Sequence, residues 1–232
     1  MKASEAVLLD SQLANLKAIQ ARRAHNKIDS YYPAEGPLRR ELYSKHLSFF
    51  SAGKEHRERA FIAANRVGKT EGVGGYEVAC HMTGRYPEWW EGKRFEEPVR
   101  VWACGDTAKS VRNILQVKML GPIRTMGTGM IPGDELVHTV KKIGVPDAIE
   151  LAYVRHRSGK TSMMTFMSYD QRREAFQGSD LDIIWLDEEP PMDIYAECLV
   201  RLMTTGGILL FTFTPLEGLT ELVLSFLPGG RV

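Results

Sequence analysis

The segment Ala63-Ala64-Asn65-Arg66-Val67-Gly68-Lys69-Thr70 sets a lysine and a hydroxyl directly after a glycine. It lies between the apolar run from Arg59 to Ala64 and a stretch of helical character over 68–83. A strand, a tight turn and a helix start in that order aim several backbone N–H groups at one spot, which is what phosphate oxygens require. Lys69 is then placed to reach the β and γ phosphates of a nucleotide, and the Thr70 hydroxyl to ligate Mg²⁺. Ala64, Asn65, Arg66 and Val67 supply the loop backbone, and the Arg66 guanidinium can neutralise charge developing on a γ phosphate. Ala63 stands where the usual GxxxxGKT pattern has its first glycine. The bland alternative is a chance Gly-Lys-Thr in a turn, against which the flanking strand and helix argue. Ser158-Gly159-Lys160-Thr161 is an internal control. It repeats the tripeptide between two alternating segments with no helix after it, and Val154 stands where a glycine is needed, so it reads as a hairpin turn with a solvated lysine within reach of a DNA phosphate.

The second chemical feature is Ile183-Ile184-Trp185-Leu186-Asp187-Glu188, four apolar residues and then two acids, about 117 residues beyond the loop. A buried parallel strand delivers such carboxylates to its C-terminal edge, the rim at which a phosphate loop also opens. Asp187 is the candidate Mg²⁺ holder and Glu188 the candidate general base for an attacking water. Acids after strands are common caps, so the pattern gains its meaning from the loop upstream. Thr212, Thr214 and Pro215 end the next apolar run, where hydroxyls can sense a γ phosphate or the water, although strand-end threonines are ordinarily structural. Trp89 and Trp90, beside Pro87, read as a packed turn rather than a base-stacking platform. The six histidines have no ligand spacing, which argues against zinc.

These groups need a scaffold, and 232 residues with 44% hydrophobic and 25% charged side chains can bury the core of one domain. A net charge of +1 excludes a polycation held to nucleic acid by bulk charge, so any DNA contact is a local patch. Charge is nevertheless segregated, with two basic against ten acidic residues over 174–232. Three cysteines without a CxxC pair fit a reducing compartment, and no apolar run is long enough to span a membrane. The periodicities predict an amphipathic helix over 5–27, a helical stretch over 38–50, strands at 59–64 and 99–104, and a helix from an Asp106 or Thr107 cap to Leu120. Glycines and prolines make 121–147 a loop. A hairpin over 149–169 turns at Ser158-Gly159, and a strand at 182–186, a helix over 193–203 and a strand at 207–214 follow.

FIAANRVGKT, DIIWLDEE and FTFTPLEG together resemble the N-terminal ATPase domain of the large terminase subunit of tailed double-stranded DNA phages. The resemblance runs from about Tyr32 to Leu227. Its most specific marks are the degenerate loop with an internal arginine, the stretch from Arg173 to Gly178 and the Thr-Pro-Leu-Glu-Gly ending at Gly218. It implies an α/β P-loop NTPase fold of the ASCE (RecA-like) type, a mainly parallel central sheet flanked by helices with an N-terminal helical extension. It also implies an ATP- and Mg²⁺-dependent motor that moves double-stranded DNA into a procapsid. In that family Glu188 and Arg66 match catalytic positions, Arg173 the candidate finger reaching a neighbouring subunit's nucleotide, and Thr212 to Thr214, with Pro215 following, a motif coupling hydrolysis to movement. The segment from Gly36 to Tyr43 takes the place of the adenine-contacting motif. It lacks that motif's frequent glutamine and leaves Tyr43 and Arg40 as the candidates.

The implied partners are double-stranded DNA, portal protein and small terminase subunit. The implied assembly is a homo-oligomeric ring on the procapsid and a monomer in isolation, in the host cytoplasm and transiently at the portal vertex. The expected organisation is an N-terminal helix over 1–30, an ATPase domain over 31–227 and a linker start at 228–232, with no nuclease activity in this chain. Two other readings stay open: a nucleotide-binding module that docks on portal or small terminase with little hydrolysis, and another ASCE DNA-dependent ATPase.

Overall fold

Four apolar runs form the middle of one seven-stranded sheet, and they carry little polar alternation because helices cover both of their faces. They are β1 (Glu58–Ile62), β2 (Arg100–Gly105), β6 (Ile183–Asp187) and β7 (Ile208–Phe213). The computed structural model describes residues 26–178, 180–216 and 218–227. Most of the helix expected over 5–27, the linker at 228–232 and Glu217 of the Thr-Pro-Leu-Glu-Gly stretch therefore lie outside the described residues. With β3 (Leu136–Lys141), β4 (Ile149–Arg155) and β5 (Thr161–Ser168) the sheet runs β1-β7-β6-β2-β5-β4-β3. Pairing is parallel from β1 to β5 and antiparallel for β5 with β4 and β4 with β3. The mainly parallel α/β sheet expected from the sequence is the one observed.

The expected loop over 121–147 is corrected at one point, because it contains the edge strand β3. No apolar alternation marks β3, since an edge strand with exposed Val137 and His138 buries too little to need one. The glycines and prolines that signalled loop lie on either side of it. The expected hairpin forms, with Gly159 at φ 86° in its turn. Its Lys160 ammonium lies 2.7 Å from Glu97, both side chains mostly exposed.

Helical elements in chain order are α1 (Lys27–Ser30), α2 (Ser44–Ala52), α3 (Tyr76–Thr83), α4 over 108–120, α5 (Met192–Met203) and α6 (Glu221–Ser225). Thr107 is the cap of α4. Its hydroxyl accepts the Ser110 N–H at 3.2 Å while the Ser110 hydroxyl accepts the Thr107 N–H at 2.9 Å. A π-helical segment, Lys69–Gly75, precedes α3, and the Val73 N–H reaches the Gly68 carbonyl five residues back at 3.1 Å.

Alternation along β6 divides the core. Trp185 faces Val73, Tyr76 and Met119 on one side of the sheet, while Ile184 and Leu186 join Phe176, Cys198 and Phe211 on the other. Trp89 and Trp90 close an aromatic cluster over Phe50 and Tyr76, with Phe50 and Trp90 centroids 5.0 Å apart. They are packing groups, as the sequence predicted.

Candidate functional site

Beyond β1 the chain turns through Arg66 and Gly68, both in left-handed backbone at φ 66° and 85°. Gly68 meets no steric cost there, whereas Arg66 holds the conformation at a cost of about 1–2 kcal/mol. The turn places Lys69 almost fully buried at the head of the helical segment, with its ammonium 3.1 Å from Asn65 Oδ1. Parallel pairing brings the end of β6 to the same rim. Lys69 Nζ lies 3.6 Å from Glu188 Oε1, and the Thr70 hydroxyl lies 3.3 Å from Asp187 Oδ2. Residues separated by more than a hundred positions are thus brought together as the sequence predicted.

Asp187 is a buried carboxylate with two hydroxyl donors, Thr70 on Oδ2 and Thr212 on Oδ1 at 2.7 Å. Burial pushes its carboxyl up to about 7, and the hydroxyls of Thr212 and Thr70 only partly oppose that. A carboxylate held at this cost is short of positive charge. Among the described residues no cluster of three His, Cys, Asp or Glu could enclose a metal by itself. A threonine hydroxyl with one carboxylate and room for phosphate oxygens suits Mg²⁺, which keeps waters and shares its shell with substrate. Asp187→Asn is expected to stabilise the nucleotide-free fold by about 2–4 kcal/mol at pH 8 and by little at pH 4. The sign follows from the raised value: the wild-type carboxylate loses stability as pH rises from its unfolded value through about 7, and an amide does not titrate. Denaturant unfolding of both proteins across that range checks it, and a pH-independent difference would contradict it.

Glu188 follows with φ 67° and a half-exposed side chain. Its N–H donates to the Thr212 carbonyl at 3.1 Å, and its carbonyl accepts the Tyr169 hydroxyl at 3.0 Å. The Thr214 N–H points at Glu188 Oε2 at 3.4 Å, and the Thr214 hydroxyl lies 3.0 Å from both the Ala63 carbonyl and Asn65 Oδ1. Thr212 and Thr214 therefore tie β7 to the two acids and to the loop, and Pro215 continues the same rim.

A cavity of about 420 Å³ beside the loop is lined by Tyr31, Tyr43, His46, Arg66, Val67 and Gly72. Tyr43 is in it, whereas Arg40 lines a neighbouring cavity with Tyr76 and Arg85. Arg173 lies in the short helical turn Arg173–Phe176, where its guanidinium donates to Glu197 of α5 at 3.1 Å and is away from the loop. Arg201 pairs with the same carboxylate at 2.8 Å. Sequence reasoning missed Tyr169, His46 and Trp185. Of these only Trp185 carried a signal, an indole N–H inside a buried strand that must find an acceptor.

The family model for the terminase large subunit, T4likevirus-type, N-terminal, matches residues 60–229. The chain belongs to the terminase large-subunit family. Its matched region holds the loop, both acids and the β7 threonines in one piece. The terminase large subunit of Salmonella phage P22 is 36% identical over 205 residues, which are 80% of this chain and 41% of that protein. The chain thus spans about two fifths of the length of that relative. A solved ATPase-domain variant of the Thermus phage P74-26 large terminase is 15% identical with a TM-score of 0.45, covering 82% of this chain and 76% of that one. The large terminase of a thermophilic bacteriophage, solved in complex with ADP, is 17% identical with the same TM-score, covering 72% and 37%. No helix among the described residues of this terminase chain is long and apolar enough to cross a membrane.

Proposed function

We propose that this chain is the ATP-hydrolysing motor domain of a phage DNA-packaging terminase. The observation that carries the reading is the convergence of Lys69, Thr70, Asp187 and Glu188 on one rim of the sheet, with the Thr70 hydroxyl 3.3 Å from Asp187. Lys69 and the loop N–H groups bind the phosphates, and the cavity with Tyr43 and His46 takes the base. Thr70 and Asp187 would hold Mg²⁺, which would supply charge neutralisation at the phosphates. Lys69 leaves Glu188 when phosphate arrives, because a polyanion competes better for the ammonium than a half-exposed carboxylate. Glu188 then takes a proton from the water that attacks the γ phosphorus, the bond to the β-phosphate oxygen breaks, and ADP and phosphate are the products. Arg66 stabilises charge on the γ oxygens from within the loop.

Thr212 and Thr214 link the two acids to the loop through β7, the route by which loss of the γ phosphate reaches the rest of the sheet. Double-stranded DNA, portal protein and small terminase subunit are the partners, in the host cytoplasm and at the portal vertex, with a ring of like chains as the working assembly. Residues 31–227 serve as the ATPase domain. Arg173 is the residue assigned to a neighbour's nucleotide. In one chain Glu197 occupies it, so turnover per chain should rise with protein concentration and on assembly. Steady-state Mg²⁺-ATP turnover over a wide concentration range tests this. Arg173→Ala is expected to flatten the rise while leaving nucleotide affinity intact. Turnover that is absent even with DNA and portal overturns the motor reading.

A further inference from the structure

Trp185 lies outside the rim, yet its indole N–H reaches Asp187 through a single intervening hydroxyl, that of Thr212. The indole N–H donates to the Thr212 hydroxyl oxygen at 2.7 Å, and the Thr212 hydroxyl lies 2.7 Å from Asp187 Oδ1. An indole N–H can only donate, so the Thr212 oxygen must accept it, and its single proton is left for the carboxylate. With Asp187 ionised, as Mg²⁺ requires, the direction of the chain Trp185 to Thr212 to Asp187 is fixed by this proton count. Trp185 and Thr212 are fully buried, so water does not compete for the bond between them.

The ring itself is packed against the backbone that follows the loop. A Cβ on Gly74 would stand 2.3 Å from the Trp185 indole nitrogen, and one on Gly75 3.7 Å from the ring. Gly74, just after the phosphate loop, is therefore the seat of the indole, which accounts for one glycine that otherwise weakens a helix; at Gly75 the tight neighbours are the Thr70 carbonyl at 3.1 Å and the Met119 sulfur at 3.3 Å. Thr70, the second donor to Asp187, is also the hydroxyl assigned to Mg²⁺, so that contact must change when nucleotide and metal arrive. The Thr212 hydroxyl is not among the groups assigned to Mg²⁺, so its contact with Asp187 can persist when they arrive.

We infer that Trp185 is a positioning residue: seated on Gly74, its indole N–H locks the Thr212 hydroxyl onto Asp187 and so fixes that carboxylate for Mg²⁺ of the bound nucleotide. The inference rests on the reading of Asp187 as a Mg²⁺ holder. Without the N–H the Thr212 hydroxyl is free to rotate, and Asp187 loses its one permanent donor. Nucleotide binding without metal depends on the loop and not on this chain of bonds.

The test measures binding of a fluorescent ATP analogue in EDTA and in Mg²⁺, for wild type, Trp185→Phe and Thr212→Val. Benzothienylalanine placed at position 185 alone serves as a further variant, which keeps the ring and removes only the N–H. The expected result for Trp185→Phe and for benzothienylalanine is unchanged affinity in EDTA and a loss of about tenfold in the Mg²⁺-dependent gain, as for one charge-assisted hydrogen bond, and Thr212→Val should lose that gain to the same extent. The Trp185→Phe, Thr212→Val double variant should lose no more than either single variant, and Thr212→Ser should keep the gain. A purely structural role for the ring predicts equal effects in EDTA and Mg²⁺. That result, or a full Mg²⁺ gain with benzothienylalanine, overturns the inference alone. A wild-type protein that gains nothing from Mg²⁺ overturns the motor reading together with it.

Discussion

Glu188→Gln is expected to lower kcat for Mg²⁺-ATP hydrolysis by about 10²–10⁴-fold while leaving nucleotide affinity nearly unchanged. The amide keeps the shape of the side chain, and its oxygen can still accept from the Thr214 N–H that now points at Glu188 Oε2. What it loses is the capacity to take a proton from water. The backbone supplies a second, separable test, because Glu188 sits at φ 67°, held there by the Thr212 carbonyl and the Tyr169 hydroxyl. A side chain in left-handed backbone costs about 1–2 kcal/mol, and glycine pays no such cost. Glu188→Gly should therefore be as inactive as Glu188→Gln yet at least as stable as wild type. Strain retained at a position whose relief silences the protein marks a residue held for chemistry. Turnover retained by both variants would remove Glu188 as the base.

The largest stability effect is expected away from the rim, at Glu77 of α3. Its side chain is fully buried and forked onto the Arg59 guanidinium, at 2.7 and 3.2 Å. Arg59 in turn donates to the Phe49 carbonyl at 2.6 Å and lies over the Phe49 ring. Burial alone pushes the Glu77 carboxyl up, but Arg59 and His81 reverse that and hold it below the ordinary carboxylate value. Burial lowers His81, whose neutral ring can donate from Nε2 to Glu77 at 3.2 Å and accept the Tyr86 hydroxyl on Nδ1 at 2.8 Å. Glu77→Ala strands a buried guanidinium and should cost about 3–5 kcal/mol of folding stability. Replacing both partners by Arg59→Met and Glu77→Leu should recover most of that loss.

The pH dependence at Glu77 has a definite sign. A depressed folded value contributes stability that is present above the unfolded value and lost as pH falls through the folded one. Denaturant unfolding between pH 3 and 7, in wild type and Glu77→Gln, reads this directly. The acid-side loss belonging to Glu77 should be missing from the variant. A Glu77→Ala protein within about 1 kcal/mol of wild type would show that water, not Arg59, satisfies the site.

Both predictions draw on one design, in which β1, β6 and β7 end at a common rim and the loop after β1 turns back over them. Arg59 sits on the strand that leads into the loop and Glu77 on the helix that leads out. Their ion pair therefore clamps the two arms of the phosphate loop behind Lys69. Trp185 does the same from the next strand but one, through Gly74 and Thr212.

The local sequence by itself marked the candidate chemistry. A lysine and threonine after Gly68, and two acids after a four-residue apolar run, are patterns whose meaning depends only on neighbours along the chain. Strand and helix periods are local as well, so β1, β2, β6, β7 and α5 are legible from spacing, and alternating flanks distinguish the second Gly-Lys-Thr from a phosphate loop. The tertiary structure decided whatever depends on which residues meet across the sheet. β3 carries no apolar period because it is an edge. Arg173 is held by Glu197, 24 positions away, and Tyr43 rather than Arg40 reaches the cavity beside the loop. Gly74 looks like a poor helix residue until the indole of Trp185 is seen against it. Periodicity reports how much of a residue is buried, but the partner that a buried N–H or carboxylate requires is set by parallel register between strands far apart in sequence, and only the folded sheet supplies it.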